Sequence, residues 1–410
     1  MSSNNDNVTR RTVLKTGAGG ALGTMLAREN SMANETTTAW PDVYQTLGIR
    51  PIVNAAGTIT TLGGSLMPPE VVAAWTAAAQ SFVSLTELQD TVGEKIAQRL
   101  GVEAALVTTG AAGGILVGTA AALTHRDRSL VDRLPLPAEM DLQVIRQVSH
   151  RECYDNQVKT CGVRLVAVET REDLERAINR RTVMMFSYNV HEGESKIPQR
   201  EWVEVARRNS IPTLLDAAAD TPPLDALSKF NRIGYDMVVF SGGKAIRGPQ
   251  DTGLLLGRKD LIEAAKLNTA PRCGNIGRGM KVSKEDMVAM WAAVERFVNL
   301  DHEAEQREWE KRIATIENAL TSIPTVETKR IVPPIANHVP HLLIFWDEQR
   351  VRVTPAQVKG QLAEGEPSIA TARVHGTGDE GFLVSVFMLQ PNEDTIVAAR
   401  LQQILKQAST

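Results

Sequence analysis

From about residue 100 onward, short apolar runs alternate with stretches in which apolar positions recur every three to four residues. This is the pattern of strands and helices taking turns in a parallel sheet. Ala104–Thr108, Val144–Val148, Arg164–Val168, Thr182–Ser187, Thr213–Asp216 and Met237–Ser241 read as strands, and Ala111–Leu123 as the helix after the first. In such sheets ligands bind beyond the carboxyl ends of the strands, so candidate chemistry is sought there. The charged amphipathic stretch Ser283–Ser322 predicts one or two helices leaving the sheet. His341–Phe345 and Phe382–Val386 then predict strands, and Glu393–Gln407 a closing helix. The fold class expected is therefore α/β, a large domain with a mostly parallel sheet followed by a smaller C-terminal α+β domain. The boundaries expected are an address over residues 1–33, an arm over 34–67, a large domain over 68–300 and a small one over 301–410.

The address is read from Thr9-Arg10-Arg11-Thr12-Val13-Leu14-Lys15, a weakly apolar glycine-rich run after it, and the small-x-small sequence Ser31-Met32-Ala33. Paired arginines ahead of a short apolar stretch resemble a twin-arginine export signal. The expected location is periplasmic or secreted, or cytoplasmic if the signal does not function. Val13 stands where such signals prefer Phe, and a disordered basic N-terminus is the competing reading. No later segment reaches the 18–20 apolar residues of a membrane span.

Composition narrows the partner. A chain of 410 residues with 43% hydrophobic and 23% charged residues is long enough for two domains and ordinary for a globular enzyme. Aromatics at 4% and a net charge of -3 without a long basic block disfavour nucleobase stacking and phosphate-backbone binding. The three cysteines form no CxxC pair and read as inert small hydrophobes. The expected partner is a small molecule.

Lys244 follows a strand within Ser241-Gly242-Gly243-Lys244-Ala245-Ile246-Arg247-Gly248-Pro249. It is either a solvated loop lysine or an amine held away from water, whose lowered pKa makes it a nucleophile able to form a Schiff base. Ser241 can hydrogen-bond a phosphate. Asp216 ends an apolar strand in Leu214-Leu215-Asp216-Ala217. It either caps the next helix or balances a protonated pyridine nitrogen, the pairing that makes pyridoxal-5′-phosphate (PLP) an electron sink. Thr109-Gly110-Ala111 joins a strand to a helix, where free N–H groups favour an anion, with tight helix packing as the other explanation. This loop is spelled neither G-x-G-x-x-G nor G-x-x-x-x-G-K-[ST], so a lone phosphate fits it better than a dinucleotide. His150 closes a strand, before a helix expected from about Arg151, and is either a surface histidine or a ring that stacks on the cofactor, with Tyr154 as the substitute. No tetrahedral zinc set and no G-x-S-x-G occur, so no metal is assigned.

With these residues in place the chain resembles the selenocysteine-synthase-like branch of fold-type I PLP enzymes, of the aspartate-aminotransferase-like fold, close to the D-glucosaminate-6-phosphate ammonia-lyase group. The resemblance runs from about Tyr44 to Gln407. It is carried by Ile52-Val53-Asn54-Ala55-Ala56-Gly57-Thr58, Thr109-Gly110-Ala111-Ala112, Asp216-Ala217-Ala218-Ala219, Ser241-Gly242-Gly243-Lys244 with Gly248-Pro249-Gln250, and Gly277-Arg278-Gly279-Met280-Lys281-Val282. It implies that Lys244 carries PLP as a Schiff base, that Asp216 holds the pyridine nitrogen, and that the Gly110 loop with Ser241 holds the phosphate. It also implies that His150 stacks, that Asn54 and Thr58 line the site near a dimer interface, and that Arg373 takes the substrate carboxylate. Gly113 and Gly114 depart from the pattern and are expected to loosen the phosphate loop. The function expected is α,β-elimination from an amino acid or amino sugar acid, in which loss of a β-hydroxyl gives an aminoacrylate that hydrolyses to a 2-oxo acid and ammonia, in a homodimer or larger homo-oligomer. A PLP transferase, a racemase and a non-catalytic binding protein are the alternatives. Selenium transfer onto tRNA is disfavoured by the export signal and by the lack of a basic RNA-binding extension.

Overall fold

The computed structural model describes residues 42–372 and 381–409. The export signal read over 1–33 and Arg373 lie outside the described residues. A unit ending at Pro51 contains one short helix, α1 (Val43–Thr46), whose first N–H groups are capped by the Asp42 carboxylate. From Ile52 to Thr410 the chain forms a second compact unit.

That unit opens with β1 (Ile52–Ala55), α2 (Pro69–Ala79) and α3 (Leu85–Leu100). Ser84 caps α3 through its side chain, and Gly101 ends it in the left-handed conformation at φ 67°. Then come β2 (Ala104–Thr109), α4 (Gly110–Thr124), β3 (Gln143–Gln147), α5 (Asp155–Lys159), β4 (Arg164–Val168), α6 (Arg171–Ala177) and β5 (Thr182–Tyr188). The series continues through α7 (Gln199–Arg208), β6 (Thr213–Asp216), α8 (Ala226–Ile233), β7 (Met237–Ser241), β8 (Thr252–Gly257) and α9 (Lys259–Leu267). These strands make one seven-stranded sheet in the order β2-β8-β7-β6-β5-β3-β4. All neighbours are parallel except β8, which runs antiparallel to both β2 and β7. The mostly parallel sheet and its alternating helices are what the periodicity predicts. The periodicity missed β8, because Leu254-Leu255-Leu256 is a short apolar run that shares its glycine-rich flanks with the preceding turn. Both neighbours bury it completely.

Helix α4 packs against β8 and β7 through a surface that is apolar all round, and thirteen of its residues are buried. A helix without a polar face belongs in the interior.

The charged stretch after the sheet is two helices, α10 (Lys284–Asn299) and α11 (His302–Leu320). Their N-caps Ser283 and Asp301 each accept a backbone N–H. Beyond them lie β9 (Glu327–Ile331), β10 (His341–Phe345), α12 (Pro355–Glu364), β11 (Ser368–Thr371), β12 (Phe382–Ser385) and α13 (Glu393–Ala408). Strands β12-β10-β9 form a small antiparallel sheet, while β11 pairs in parallel with β1. The arm read over 34–67 is therefore divided, since Ile52–Ala55 is stitched to Ser368–Thr371 near the other end of the chain. One apolar core runs across residue 300 and includes Leu254 and Met290 together with Leu342, Val384 and Leu401.

Candidate active site

The sheet register brings the candidates to one edge. Tyr188 pairs with Asp216, Asp216 with Val239, Ser241 with Gly253, and Thr109 with Thr252. Because β2, β7, β6, β5 and β3 all point the same way, their carboxyl ends line up beside the start of β8. The two most apolar strands of this edge, β6 and β7, deliver Asp216 and the turn that carries Lys244. A separate cavity of about 300 Å³, lined by Arg126, Arg207, Asp236 and Arg258 among others, opens at the opposite edge, where β7 begins.

Asp216 is 8% exposed. Its Oδ1 accepts the Ala218 N–H at 2.8 Å, and Oδ2 has no partner among the described residues. Burial pushes its pKa up to about 6, against the pull of the Ala218 N–H and the positive charge of Lys244. A buried carboxylate with an open oxygen costs free energy that a cationic N–H at Oδ2 would recover. Lys244 is partly buried, and its amine makes no ion pair among the described residues. Burial holds the amine below the ordinary lysine range, while Asp216 and Asp220 pull it back up. Partial burial of Lys244 favours the reading of an amine held away from water over that of a solvated loop lysine.

The loop from Thr109 into α4 has the geometry of an anion cradle. Gly110 sits at φ 65°, a left-handed conformation that glycine adopts without strain, and open space lies where its Cβ would be. Thr109 is the N-cap but makes no side-chain cap bond, which leaves the first N–H groups of α4 free for a ligand. Thr108 Oγ1 fixes the turn by donating to the Gly110 carbonyl at 2.9 Å. Beneath it, a Cβ on Gly253 would stand 2.4 Å from the Gly110 carbonyl carbon, so β8 meets the loop backbone to backbone. Gly113 and Gly114 do not loosen the loop as expected. A Cβ there would stand 2.3 Å from Thr109 Oγ1 and 2.8 Å from Val239 Cγ1, so these glycines let α4 seat tightly on β2 and β7. Ala111 is buried under the loop and Ser241 is partly open at the end of β7.

Two expectations are corrected. His150 does not offer a ring face, since protein packs around it on every side and leaves it fully buried. It lies in a turn, with α5 beginning only at Asp155. Its Nδ1 accepts the Tyr188 N–H at 3.0 Å, which places the proton on Nε2, directed at Ser195 Oγ at 2.7 Å. Burial, with the charges of His191 and Arg146, pushes its pKa down to about 4, so it stays neutral and ties β3 to the loop after β5. Tyr154 is 42% exposed and feels the charge of Asp216, so it is the ring of this segment with a face to offer. Asn54 is likewise not a free binding residue. Its Oδ1 accepts the Ala56 and Gly57 N–H groups at 3.0 and 3.1 Å, and its Nδ2 donates to the Gly57 carbonyl. It builds the turn that presents Thr58, whose side chain is partly exposed. The chain then approaches the Lys244 turn: Gln250 Nε2 donates to the Thr60 carbonyl at 3.0 Å, and a Cβ on Gly64 would stand 2.5 Å from the Gly243 carbonyl oxygen.

Asp220, Asn189, Glu152 and His191 carried no assignment from the sequence. Asp220 is 8% exposed and accepts from Asn189 Nδ2 at 2.5 Å. Glu152 pairs with His191 Nε2 at 2.9 Å and acts on Asp216 by charge. The only signal for Asp220 was an acid four residues beyond Asp216, and nothing in the sequence placed the other three together.

The residues fit PLP. Lys244 can take the aldehyde carbon, Asp216 Oδ2 the pyridine N–H, and the Gly110 loop with Ser241 the phosphate. Comparison with known proteins agrees. Residues 143–275, which contain both Asp216 and Lys244, match the aminotransferase class-V family. The chain is 29% identical, over 90% of its length and 99% of the relative's, to D-glucosaminate-6-phosphate ammonia lyase of Salmonella typhimurium. A solved structure of a D-glucosaminate-6-phosphate ammonia-lyase superposes with a TM-score of 0.77 at 28% identity, covering 90% of this chain and 100% of that one. A 5′-C-glycyluridine monooxygenase-decarboxylase of Streptomyces sp is 28% identical over 88% of this chain and 92% of the relative. L-seryl-tRNA(Sec) selenium transferase of Moorella thermoacetica is 25% identical over 62% and 57%. Fold, site and relatives together make this chain a PLP-dependent enzyme of fold type I, a lyase or transferase by class, similar over most of its length to D-glucosaminate-6-phosphate ammonia lyase.

Proposed function

We propose that the enzyme is an ammonia lyase that acts on a β-hydroxy amino acid or amino sugar acid by α,β-elimination: the α-proton and the β-hydroxyl leave as water, and hydrolysis of the resulting enamine releases ammonia and a 2-oxo acid. The observation that carries this reading is that the fold brings the half-buried Lys244 and the buried Asp216 to one sheet edge, in a chain aligned nearly end to end with an ammonia lyase. Lys244 is the point of covalent attachment, Asp216 keeps the pyridine nitrogen protonated, and the free N–H groups of α4 with Ser241 hold the phosphate. When bound, PLP supplies a sink for the electron pair left at the substrate Cα. The Lys244 amine, released as the substrate amine takes its place, removes the α-proton as general base. Thr58, presented by the turn that Asn54 builds, and Arg373 are assigned to the substrate, Arg373 to its carboxylate.

The full enzyme, given D- and L-hydroxyamino acids and 2-amino sugar acids with and without a phosphate, is expected to release ammonia and 2-oxo acid in equal amounts without an amino acceptor. Lys244→Ala is expected to lower kcat by about 10²–10⁴. Oxo acid formed only when an amino acceptor is present would convert the assignment to a transferase.

Two features of setting belong to the same proposal. The enzyme works as a homo-oligomer, supported by the solvent exposure of Leu66, Val72, Trp75, Phe82 and Val83 along one stretch of chain. It is exported folded by the twin-arginine route, supported by Arg10-Arg11 and by a cofactor that is best loaded before export. Replacing both arginines with lysine is expected to leave the protein in the cytoplasm, and unchanged export would refute the route.

A further inference from the structure

We propose that Thr252 and Met290 clamp the Lys244 turn from two sides and act as positioning residues for the lysine. The inference rests on the assignment of Lys244 but not on the type of reaction catalysed.

A lysine side chain is a flexible four-carbon stem, so its amine is placed only as well as its backbone is held. Here the backbone bends between Gly242 and Gly248, and the Arg247 N–H donates to the Lys244 carbonyl at 3.0 Å. Thr252, at the start of β8, is fully buried and holds both ends of the bend. Its carbonyl accepts the Gly242 N–H at 2.8 Å, and its hydroxyl donates to the Pro249 carbonyl at 2.7 Å. The Gly248 N–H closes the bend by donating to the Gly242 carbonyl at 2.8 Å. Lys244 is thus carried on a loop whose two ends meet at one threonine.

Met290, fully buried on α10, closes the other side. Its Sδ lies 3.2 Å from Thr252 Oγ1. That hydroxyl has a single proton, which goes to the nearer and stronger acceptor, the Pro249 carbonyl, so the sulfur packs against the oxygen. A Cβ on Gly242 would stand 2.6 Å from Sδ and 2.2 Å from Thr252 Oγ1, and a Cβ on Gly248 would stand 2.7 Å from Sδ. Neither glycine holds a left-handed φ, so the backbone conformation does not call for glycine at either place. The close approach of the sulfur does. Methionine carries one heavy atom at its δ position and leucine two, so the slot between the glycines suits an unbranched thioether. An ordinary core methionine exchanges for leucine at small cost. One wedged against the backbone two residues before and four residues after Lys244 moves the turn when it is exchanged.

The test uses the full chain freed of cofactor. PLP is added, its attachment is trapped with borohydride at timed intervals, and modified Lys244 is counted by peptide mass mapping. Thr252→Val and Met290→Leu are each expected to slow attachment by at least about tenfold, since a misplacement of about 1 Å can cost about a hundredfold. Thr252→Ser, which keeps the hydroxyl, is expected to restore the parent rate. Met287→Leu makes the same exchange at another buried site on α10 and is expected to leave the rate unchanged. Hydrogen exchange of the segment 241–252, measured without PLP, is expected to quicken in Thr252→Val and Met290→Leu but not in Met287→Leu. If Met290→Leu does not fold, Thr252→Val and its serine rescue decide the matter. Attachment at the parent rate in Thr252→Val and Met290→Leu, or equal slowing in Met287→Leu, would overturn the proposal. PLP trapped on another lysine of the parent would overturn the assignment of Lys244 and this proposal with it, whereas unchanged kinetics in the two variants overturn the proposal alone.

Discussion

Asp216 is asked for opposite things by folding and by cofactor binding. Its pKa of about 6 in the folded chain exceeds the 3.8 of a free carboxyl. The folded state therefore binds the proton more tightly than the unfolded state, and this group's contribution to stability falls as pH rises from about 4 to about 6. Above pH 6 the charged, buried form costs roughly 3 kcal/mol in the cofactor-free protein. Asp216→Asn is expected to raise the melting temperature of that protein at pH 8, with the gain shrinking at pH 5, while weakening PLP binding. Equal melting temperatures at pH 8, measured by scanning calorimetry, would show that the carboxylate is not desolvated. Lys244 and Asp216 were both legible in the sequence, because a lysine in a glycine-rich turn and an acid closing an apolar strand are local patterns. The role of His150 was not, since two contacts from other loops decide which way its nitrogens point.

At the level of elements, β8 and α4 form one device. The antiparallel strand places Gly253 against the Gly110 backbone, and the glycines of α4 bring the helix close enough for its N–H groups to face the cradle. Gly253→Ala puts a methyl group 2.4 Å from the Gly110 carbonyl carbon. Relieving that clash is expected to cost about 1–3 kcal/mol of stability. Because the displaced backbone is the loop proposed to hold the phosphate, PLP affinity is expected to fall as well, by at least about tenfold, read by absorbance titration. Loss of stability with unchanged PLP affinity would separate the loop from the phosphate. Glycine counts along the sequence announced a turn here. They did not reveal that a strand missed by the periodicity was the surface beneath it.

On the scale of the whole molecule, the chain closes on itself through β1 and β11, whose paired residues lie more than 300 positions apart. The segment leading from β1 into α3 leaves Phe82 fully exposed, with Val83, Trp75 and Leu66 also open. An apolar run of this kind on an otherwise buried-core enzyme is expected to be covered by a second copy. Phe82→Asp is expected to shift the native mass towards the monomer in light scattering at micromolar concentration. A parent protein that is itself monomeric under those conditions would end the homo-oligomer proposal.

The amino-acid sequence by itself determined the α/β class, the run of parallel strands and the cofactor, and it singled out a candidate lysine and a candidate acid. Each of these depends on periodicity or on residues a few positions apart. Only the tertiary structure decided that Asn189 and the Ala336 N–H anchor a second buried acid, Asp220, in the loop after β6, that Asn54 builds a turn, and that Gly113 and Gly114 seat α4 tightly on β2 and β7. Those facts depend on which strands become neighbours, and strand order is set by packing between elements far apart in the chain. Lys244 entered as one lysine in a glycine-rich turn, and the fold set it at the sheet edge where Asp216 ends β6.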